Sequence, residues 1–198
     1  MLSSMKTIES KTDRSVPQPQ FCSCLPKISF MITSISYKIK YLTQKSYNQF
    51  LDTLQFHRLS CSCGRSGCLI KHAYYERKVK TPDGCIILRI LRMICKHCSK
   101  THAVFPECIV PYSQVLLIDH LKIIKTHLSR GSFDTVMMSN LYIDEGNIRY
   151  ILRQYLRYWK ERIAAFALVL DNTISLHCLK TLKRQFMQIK CIKNILSV

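Results

Sequence analysis

Acidic side chains are scarce in this sequence. Twelve Asp and Glu stand against thirty Lys and Arg, which gives a formal net charge of +18 and a pI near 9.6. A chain this basic attracts polyanions, and nucleic acid is the most common polyanion that an intracellular protein meets. The positive charge is spread along the chain, so it predicts the class of partner and no particular binding surface.

Long apolar segments are also missing. A membrane-spanning helix needs about 18 consecutive apolar residues, and the best run, 163–170, is much shorter. The first fifteen residues include acidic side chains and contain no apolar core of signal-peptide length. We therefore expect a cytoplasmic protein with no membrane partner.

Carboxylates are rarest near the C-terminus, where Glu161 and Asp171 are the two that follow residue 145. Metal-dependent strand transfer requires two or three carboxylates that converge on divalent cations from a sheet-based core. This scarcity argues against a complete transposase or nuclease, so we expect no enzymatic activity.

Cysteine, in contrast, is abundant, with eleven residues. The odd count without an export signal argues for a reducing compartment rather than a disulfide framework. Five cysteines form two clusters, at 61–68 and 95–98, on either side of a strand-turn-strand pattern. Such clusters can converge on one tetrahedral zinc ion, so the sequence predicts a single structural zinc.

The choice of ligands is open in the first cluster, which offers three thiols where two are needed. Gly64 follows Cys63 directly and favours it, because knuckles of this kind place glycine after the second ligand. The preferred ligands are Cys63, Cys68, Cys95 and Cys98, with Cys61 as the main substitute and His72 or His97 as further alternatives. The other cysteines lack paired spacing and are expected to be buried apolar groups or spare thiols: Cys22, Cys24, Cys85, Cys108, Cys178 and Cys191.

Residues 45–112 are predicted to form a lead-in helix, over 46–56, and a small zinc-ribbon domain. Strands at 72–80 and 85–94 are joined by the turn Thr81-Pro82-Asp83-Gly84. Residues 1–44 are expected to be a poorly ordered extension, although 28–42 alternate like a strand without an obvious partner.

The spacing of apolar residues becomes helical after residue 112. Together with the predicted strands before it, this predicts an α+β protein. Ser113 is a candidate N-cap for a helix that Gly131 ends, a shorter helix follows near 133–138, and Asp144 caps the longest one. Two short helices before a longer cationic one are typical of a helix-turn-helix unit, over 113–165. A basic helical tail is expected over 166–198, where an amphipathic pattern from Leu182 to Leu196 suits packing, a dimer contact or a membrane interface.

The longest helix carries a cationic stripe beside an apolar face. Arginine can pair with guanine, and asparagine or glutamine with adenine, so this face has suitable chemistry for base edges and phosphates. A solvated helix face is the competing interpretation. The predicted DNA-binding residues are Asn147, Arg149, Tyr150, Arg153, Gln154, Arg157 and Lys160.

Three stretches, 61–84, 88–113 and 143–163, carry a resemblance to a known family. They are similar to small bacterial zinc-ribbon and helix-turn-helix proteins of unknown function that are related to the N-terminal DNA-binding region of insertion-sequence transposases. The most specific marks are the turn at 81–84, the knuckle at 95–98 followed by Thr101-His102-Ala103, and Pro111-Tyr112. The resemblance implies a nucleoid-associated DNA-binding protein of a mobile element.

The expected partner is double-stranded DNA, with a separately encoded transposase or a second copy of the chain as further candidates. The alternative is a zinc-ribbon adaptor for protein interactions, or a transcriptional regulator with no role in transposition.

Overall fold

The computed structural model describes residues 30–33, 41–129 and 131–188 of the chain. A four-stranded sheet is followed by a helical part, which confirms the predicted α+β class. The strands are β1 (Phe30–Thr33), β2 (Leu69–Thr81), β3 (Gly84–Cys95) and β4 (Thr101–Phe105). The helices are α1 (Gln44–Asp52), α2 (Leu117–Leu128), α3 (Phe133–Met138), α4 (Glu145–Gln154), α5 (Lys160–Ala165) and α6 (Ile174–Leu182).

The β2–β3 hairpin dominates the sheet, whose strand order is β1-β4-β3-β2. Its turn is the predicted one: Thr81 pairs with Gly84, whose φ of +124° suits glycine, and the Thr81 hydroxyl donates to the Gly84 carbonyl at 2.8 Å. The register runs to Leu69 opposite Cys95 at the open end. The hairpin thereby brings the second cysteine cluster beside the first.

The remaining strands extend the sheet from β3. β4 pairs antiparallel with β3, and β1 pairs parallel with β4 over Phe30–Thr33. The alternating segment at 28–42 thus supplies an edge strand, with β4 as the partner that its sequence did not reveal. The rest of the predicted extension, 1–29 and 34–40, lies outside the described residues.

The predicted lead-in helix is present as α1. It begins with a capping box between Thr43 and Ser46 and ends at Asp52, four residues before the predicted end. The Tyr47 hydroxyl donates to the Val104 carbonyl and accepts from the Leu91 amide, both at 2.9 Å. These bonds hold α1 across β3 and β4.

The helical part confirms one predicted cap and corrects another. Asp144 caps α4 by accepting from the Asn147 amide at 2.9 Å. Ser113 does not cap α2, which has Leu116 at its N-cap; the Ser113 hydroxyl instead accepts from the Val115 amide at 3.1 Å. The residues between Ser113 and α2 contact the hairpin, where the Lys80 amide donates to the Gln114 carbonyl at 2.7 Å.

Gly131 follows α2 as predicted, in a position that only glycine fits. Its amide donates to the Thr126 carbonyl at 3.1 Å. A Cβ atom at residue 131 would lie 2.6 Å from that carbonyl oxygen. The bond satisfies one of the last carbonyls of α2, which have no amide partner within the helix.

The longest helix is not uniformly α-helical. α4 runs into a π turn at Tyr155–Trp159 before α5 begins. Its predicted apolar face is confirmed, since each of its members is buried: Ile148, Ile151, Leu152, Tyr155 and Trp159.

The predicted helical tail, 166–198, contains α6, which ends where the amphipathic pattern begins. α6 ends at Leu182, because Lys183 adopts a left-handed conformation with φ of 52°. Phe186 is nevertheless buried, with its ring 5.2 Å from that of Trp159, and Gln185 donates to the Ile109 carbonyl at 3.2 Å. The apolar spacing after Leu182 therefore reflects packing of a non-helical segment as far as residue 188, while Ile189 and Leu196 lie outside the described residues.

Two apolar clusters lie side by side. One joins α1, the sheet and the cysteine loops, and the other joins the helices from α2 to α6. Arg77 of β2 links them: its guanidinium donates to the carbonyls of Val110 and Ser113 and lies 4.7 Å from the Phe105 ring. In the described part of the chain, no helix has the length and apolar character needed to cross a membrane.

Candidate metal centre

The first cysteine cluster lies on a tightly closed loop. The Cys61 amide donates to the Arg65 carbonyl at 2.8 Å, and the Gly64 amide donates back to the Cys61 carbonyl at 2.9 Å. Gly64 and Gly67 both have positive φ, which lets the chain turn twice within a few residues. The loop thereby collects three thiols within one short stretch of chain.

The second cluster is a knuckle at the end of β3. The backbone amides of His97 and Cys98 point at the Cys95 sulfur, at 3.4 and 3.5 Å. The Ser99 amide donates to the Cys95 carbonyl at 2.9 Å, and Ser99 has a positive φ of 56°. The chain therefore wraps around the Cys95 sulfur before it enters β4.

The hairpin register brings the two clusters together. The Lys96 amide donates to the Cys68 carbonyl at 2.9 Å. The Cys95 sulfur lies 3.4 Å from that of Cys68 and 3.9 Å from that of Cys63. Four sulfurs all lie within 4.8 Å of one another, those of Cys61, Cys63, Cys68 and Cys95.

These separations fit a metal ion. Four sulfurs that each lie about 2.3 Å from one tetrahedral zinc stand about 3.8 Å apart. The eight cysteines in the described residues are all free thiols, so no disulfide competes for these sulfurs. Four cysteines in this arrangement could hold a metal ion.

The cluster contains one more thiol than the preferred ligand set. Cys63, Cys68 and Cys95 lie together, but the fourth close sulfur is that of Cys61, and Cys98 lies beside it with 3.5 Å between the two sulfurs. His72 and His97, the alternative ligands, are both exposed. Either Cys61 or Cys98 could therefore supply the fourth sulfur ligand.

His102 is a functional candidate that sequence reasoning did not assign. It is wholly buried in β4, and its Nε2 atom lies 3.2 Å from the Cys61 sulfur. The signal was its position directly after the knuckle, where a strand returning beside β3 passes the cysteine loops.

The thiols differ in how readily they ionise. Burial raises the pKa of Cys61 to about 11, and burial together with the neighbouring Cys95 raises the pKa of Cys68 to about 11. Burial acts in the same direction at Cys95, but the amides of Cys98 and His97 and the thiols of Cys68 and Cys98 together outweigh it and lower the pKa of Cys95 to about 6. Cys95 therefore carries the first negative charge of the cluster, and a cation would displace protons from its neighbours.

The cysteines outside the clusters behave as ordinary thiols where they are described. Cys178 is buried and Cys108 half-buried, and burial raises the pKa of each to about 12. Cys85 is exposed at the hairpin turn, while Cys22, Cys24 and Cys191 lie outside the described residues.

The predicted DNA-binding residues divide into two groups. Arg149, Arg153, Arg157 and Lys160 are exposed. Gln154 is only 9% exposed, so its placement on the surface was wrong; it lies on the buried side of α4, next to the π turn. Tyr150 is half-buried, and the Asn147 side chain donates to the Asp144 carboxylate at 2.7 Å.

The π turn also divides the cationic stripe. Arg149 pairs with Glu145 and lies 4.3 Å from the Phe133 ring, whereas Arg157 lies 5.3 Å from the ring of Tyr158 within the π turn. A π turn inserts an additional residue into the helical repeat. Arg157 and Lys160 therefore do not continue the straight line that α-helical spacing assigns to Arg149 and Arg153.

Residues 60–140 match a domain of unknown function, DUF6431. The matched segment runs from the first cysteine loop through α3 and stops before α4. No curated protein and no solved structure matches the chain.

Proposed function

We propose that this chain is a zinc-dependent DNA-binding protein of a bacterial mobile element, transposase-like but without a catalytic domain. The observation that carries the proposal is the cysteine cluster, in which four sulfurs are mutually within 4.8 Å at the open end of the hairpin. The metal is a single structural zinc, because clustered thiolates prefer zinc to the harder cations that oxygen ligands select. Cys63, Cys68 and Cys95 are three of its ligands.

The helix-turn-helix proposal draws on α3 and α4. α3 is short, a six-residue connection ends at Asp144, and α4 exposes Arg149 in its second turn and Arg153 in its last turn. Recognition helices present their N-terminal turns to base edges. Arg149 and Arg153 read bases in this proposal, while Arg157 and Lys160 contact phosphate.

Electrostatics support duplex DNA as the partner. The net charge is +18, and Glu161 is the acidic residue that follows Glu145 along this helix. Each phosphate that the protein neutralises adds about 0.9 to the slope of log affinity against log salt concentration. The proposed setting is the bacterial cytoplasm at the nucleoid, with a separately encoded transposase as a further partner and no catalysis by this chain.

A binding titration at several salt concentrations tests the proposal. Genomic fragments that the zinc-loaded protein retains are first sequenced to find its preferred sites. Fluorescently labelled duplex DNA of those sequences is the probe. We expect Arg149→Ala and Arg153→Ala each to cost about 1 to 3 kcal/mol of binding free energy and to blur specificity at one base position. Arg157→Ala and Lys160→Ala should weaken binding to all DNA sequences equally. Each should also lower the slope of log affinity against log salt concentration by about one.

Arg89→Ala is the matched control, since Arg89 is an exposed arginine that also lies over an aromatic ring, that of Tyr74 at 5.5 Å. It should leave DNA affinity unchanged. If all four helix substitutions leave affinity and helicity unchanged, the stripe is a solvated surface and the DNA-binding proposal is wrong.

A protein-interaction adaptor is the second candidate, favoured by apolar side chains near the α3–α4 connection. Met138 is 72% and Leu141 80% exposed, which is unusual for large apolar residues. Binding through such residues buries apolar surface and responds far less to salt than phosphate neutralisation does. A partner protein retained at high salt, with no retention of DNA, would favour the adaptor.

A further inference from the structure

We infer that His102 is a positioning residue of the metal centre: its ring N–H donates a hydrogen bond to the Cys61 sulfur and selects Cys61, rather than Cys98, as the fourth ligand. The inference rests on the proposed function, because it takes the cysteine cluster to hold zinc. It assigns a role to a wholly buried imidazole that the four-sulfur site does not require.

The need for a selecting group comes from the excess of thiols. Five sulfurs crowd the end of the hairpin, and a tetrahedral ion takes four. Cys61 and Cys98 have their sulfurs 3.5 Å apart, so a zinc ion could reach either with a small shift. Whichever sulfur binds zinc does so as a thiolate, and a buried thiolate is costly unless N–H groups point at it.

The two knuckles differ in the donors that their backbones supply. The Cys95 sulfur receives two amides, those of the residues two and three positions later. The Cys61 sulfur receives the amide two positions later, that of Cys63, at 3.5 Å. The next amide, that of Gly64, is directed instead to the Cys61 carbonyl, at 2.9 Å.

His102 occupies the place of this missing donor. β4 pairs with β3 so that His102 lies opposite Met93, two residues before Cys95, and its Nε2 atom reaches the Cys61 sulfur at 3.2 Å. Two ligands of one zinc, a nitrogen and a sulfur, would stand about 3.5 Å apart. The shorter observed distance suits a hydrogen bond to a ligand, and Cys61 then has two donors, as Cys95 does.

The test compares zinc affinity among variants of the full chain, by competition with a chromophoric chelator. His102→Leu removes the donor, and His102→Gln keeps an N–H at a similar reach. His120→Gln is the control, because His120 is also wholly buried but lies in α2 of the helical core. Loss of a hydrogen-bonding partner of a metal ligand typically costs 10- to 100-fold in affinity.

We expect His102→Leu to bind zinc about 10- to 100-fold more weakly than the wild type and His102→Gln to recover most of this affinity. His120→Gln should bind zinc as tightly as the wild type. Cobalt-substituted protein should keep four sulfur ligands in every variant, with the sulfur-to-cobalt absorption shifted in His102→Leu. If His102→Leu does not fold, two cysteine variants test the inference instead. Cys61→Ser should release the metal and Cys98→Ser should retain it.

Three outcomes would overturn the inference, and they are distinguishable from failure of the proposed function. Unchanged affinity and spectrum in His102→Leu would remove its role while zinc binding stands. A nitrogen neighbour of zinc that disappears in His102→Leu would make His102 a ligand, and release of metal by Cys98→Ser alone would make Cys98 the fourth ligand. A wild-type protein that binds no zinc would instead defeat the proposed function itself.

Discussion

Each of the two apolar clusters buries large side chains, but they differ in what completes them. The helical cluster is closed by interlocking side chains, with Trp159 packed edge-on against Phe186 and Ile148 and Ile151 wholly buried around them. The sheet cluster ends at the open end of the hairpin, and Cys61 and Cys95 are among its buried members there. Metal dependence should therefore be confined to one half of the molecule.

Removal of the metal gives the largest expected effect. A structural zinc held by cysteines contributes about 10 to 16 kcal/mol of apparent binding free energy to a folded domain at neutral pH. We expect a strong chelator to remove hydrogen-exchange protection from β2, β3 and β4. Trp159, the single tryptophan, lies in the helical cluster and should keep its buried fluorescence.

The two signals together sharpen the comparison of the clusters. Zinc added back should restore protection in the strands without altering Trp159. Concerted loss of strand protection and tryptophan burial would show that the halves form one cooperative unit, and unchanged strand protection in a metal-free protein would show that the sheet does not need metal.

Arg77 is expected to give the next largest effect, because it joins the two clusters. Arg77 is half-buried, desolvation of its guanidinium lowers its pKa, and the guanidinium donates to the carbonyls of Val110 and Ser113. Arg77→Met keeps the length of the side chain but leaves two carbonyls without this donor. We expect a loss of about 2 to 4 kcal/mol in the free energy of unfolding, measured in urea with zinc present.

Arg92→Met is the control for Arg77→Met, since Arg92 is an exposed arginine of the same hairpin. Arg92 lies 4.5 Å from the Tyr75 ring, so its substitution should cost about 0.5 to 1 kcal/mol, below the effect of Arg77→Met. Equal effects from the two substitutions would contradict the linking role of Arg77.

Local signals made the cysteine clusters, the hairpin turn and the α4 cap predictable. Each depends on a few adjacent residues, such as Pro82 and Gly84 in the turn or Asp144 before α4. The choice between Cys61 and Cys98 could not be predicted in the same way, because it depends on the donors around each sulfur. The contact of His102 with Cys61 joins residues 41 positions apart through the pairing of β4 with β3.

The cationic stripe shows a different limit. Its assignment assumed 3.6 residues per turn throughout, which α4 obeys and the π turn at Tyr155–Trp159 does not. Gln154 precedes this turn and is buried, although the pattern placed it among exposed groups. Periodicity predicts the apolar face of this helix well, but it misplaced Gln154 before the π turn, and the change of helical repeat shifts Arg157 and Lys160 after it.

The ion pair between Lys80 and Asp144 is expected to give the smallest effect and is a second link between hairpin and helices. Lys80 is the main cause, ahead of the Asn147 amide, of a lowered pKa of about 2 for Asp144. A folded-state pKa below the unfolded value of about 3.8 means that the stabilisation is complete above pH 4 and is lost as pH falls through about 2.

Asp144→Asn isolates the ion pair, because asparagine still caps a helix. Since the carboxylate is about half exposed, solvent screens the pair and the substitution should cost less than about 1 kcal/mol at pH 7. At pH 2 the difference from wild type should shrink as the carboxylate becomes protonated, and Asp144→Ala should cost about 0.5 to 2 kcal/mol more than Asp144→Asn at either pH through loss of the cap. Urea unfolding at both pH values measures these differences. If Asp144→Asn were as destabilising as Arg77→Met, Arg77 would not be the main connection between the two clusters.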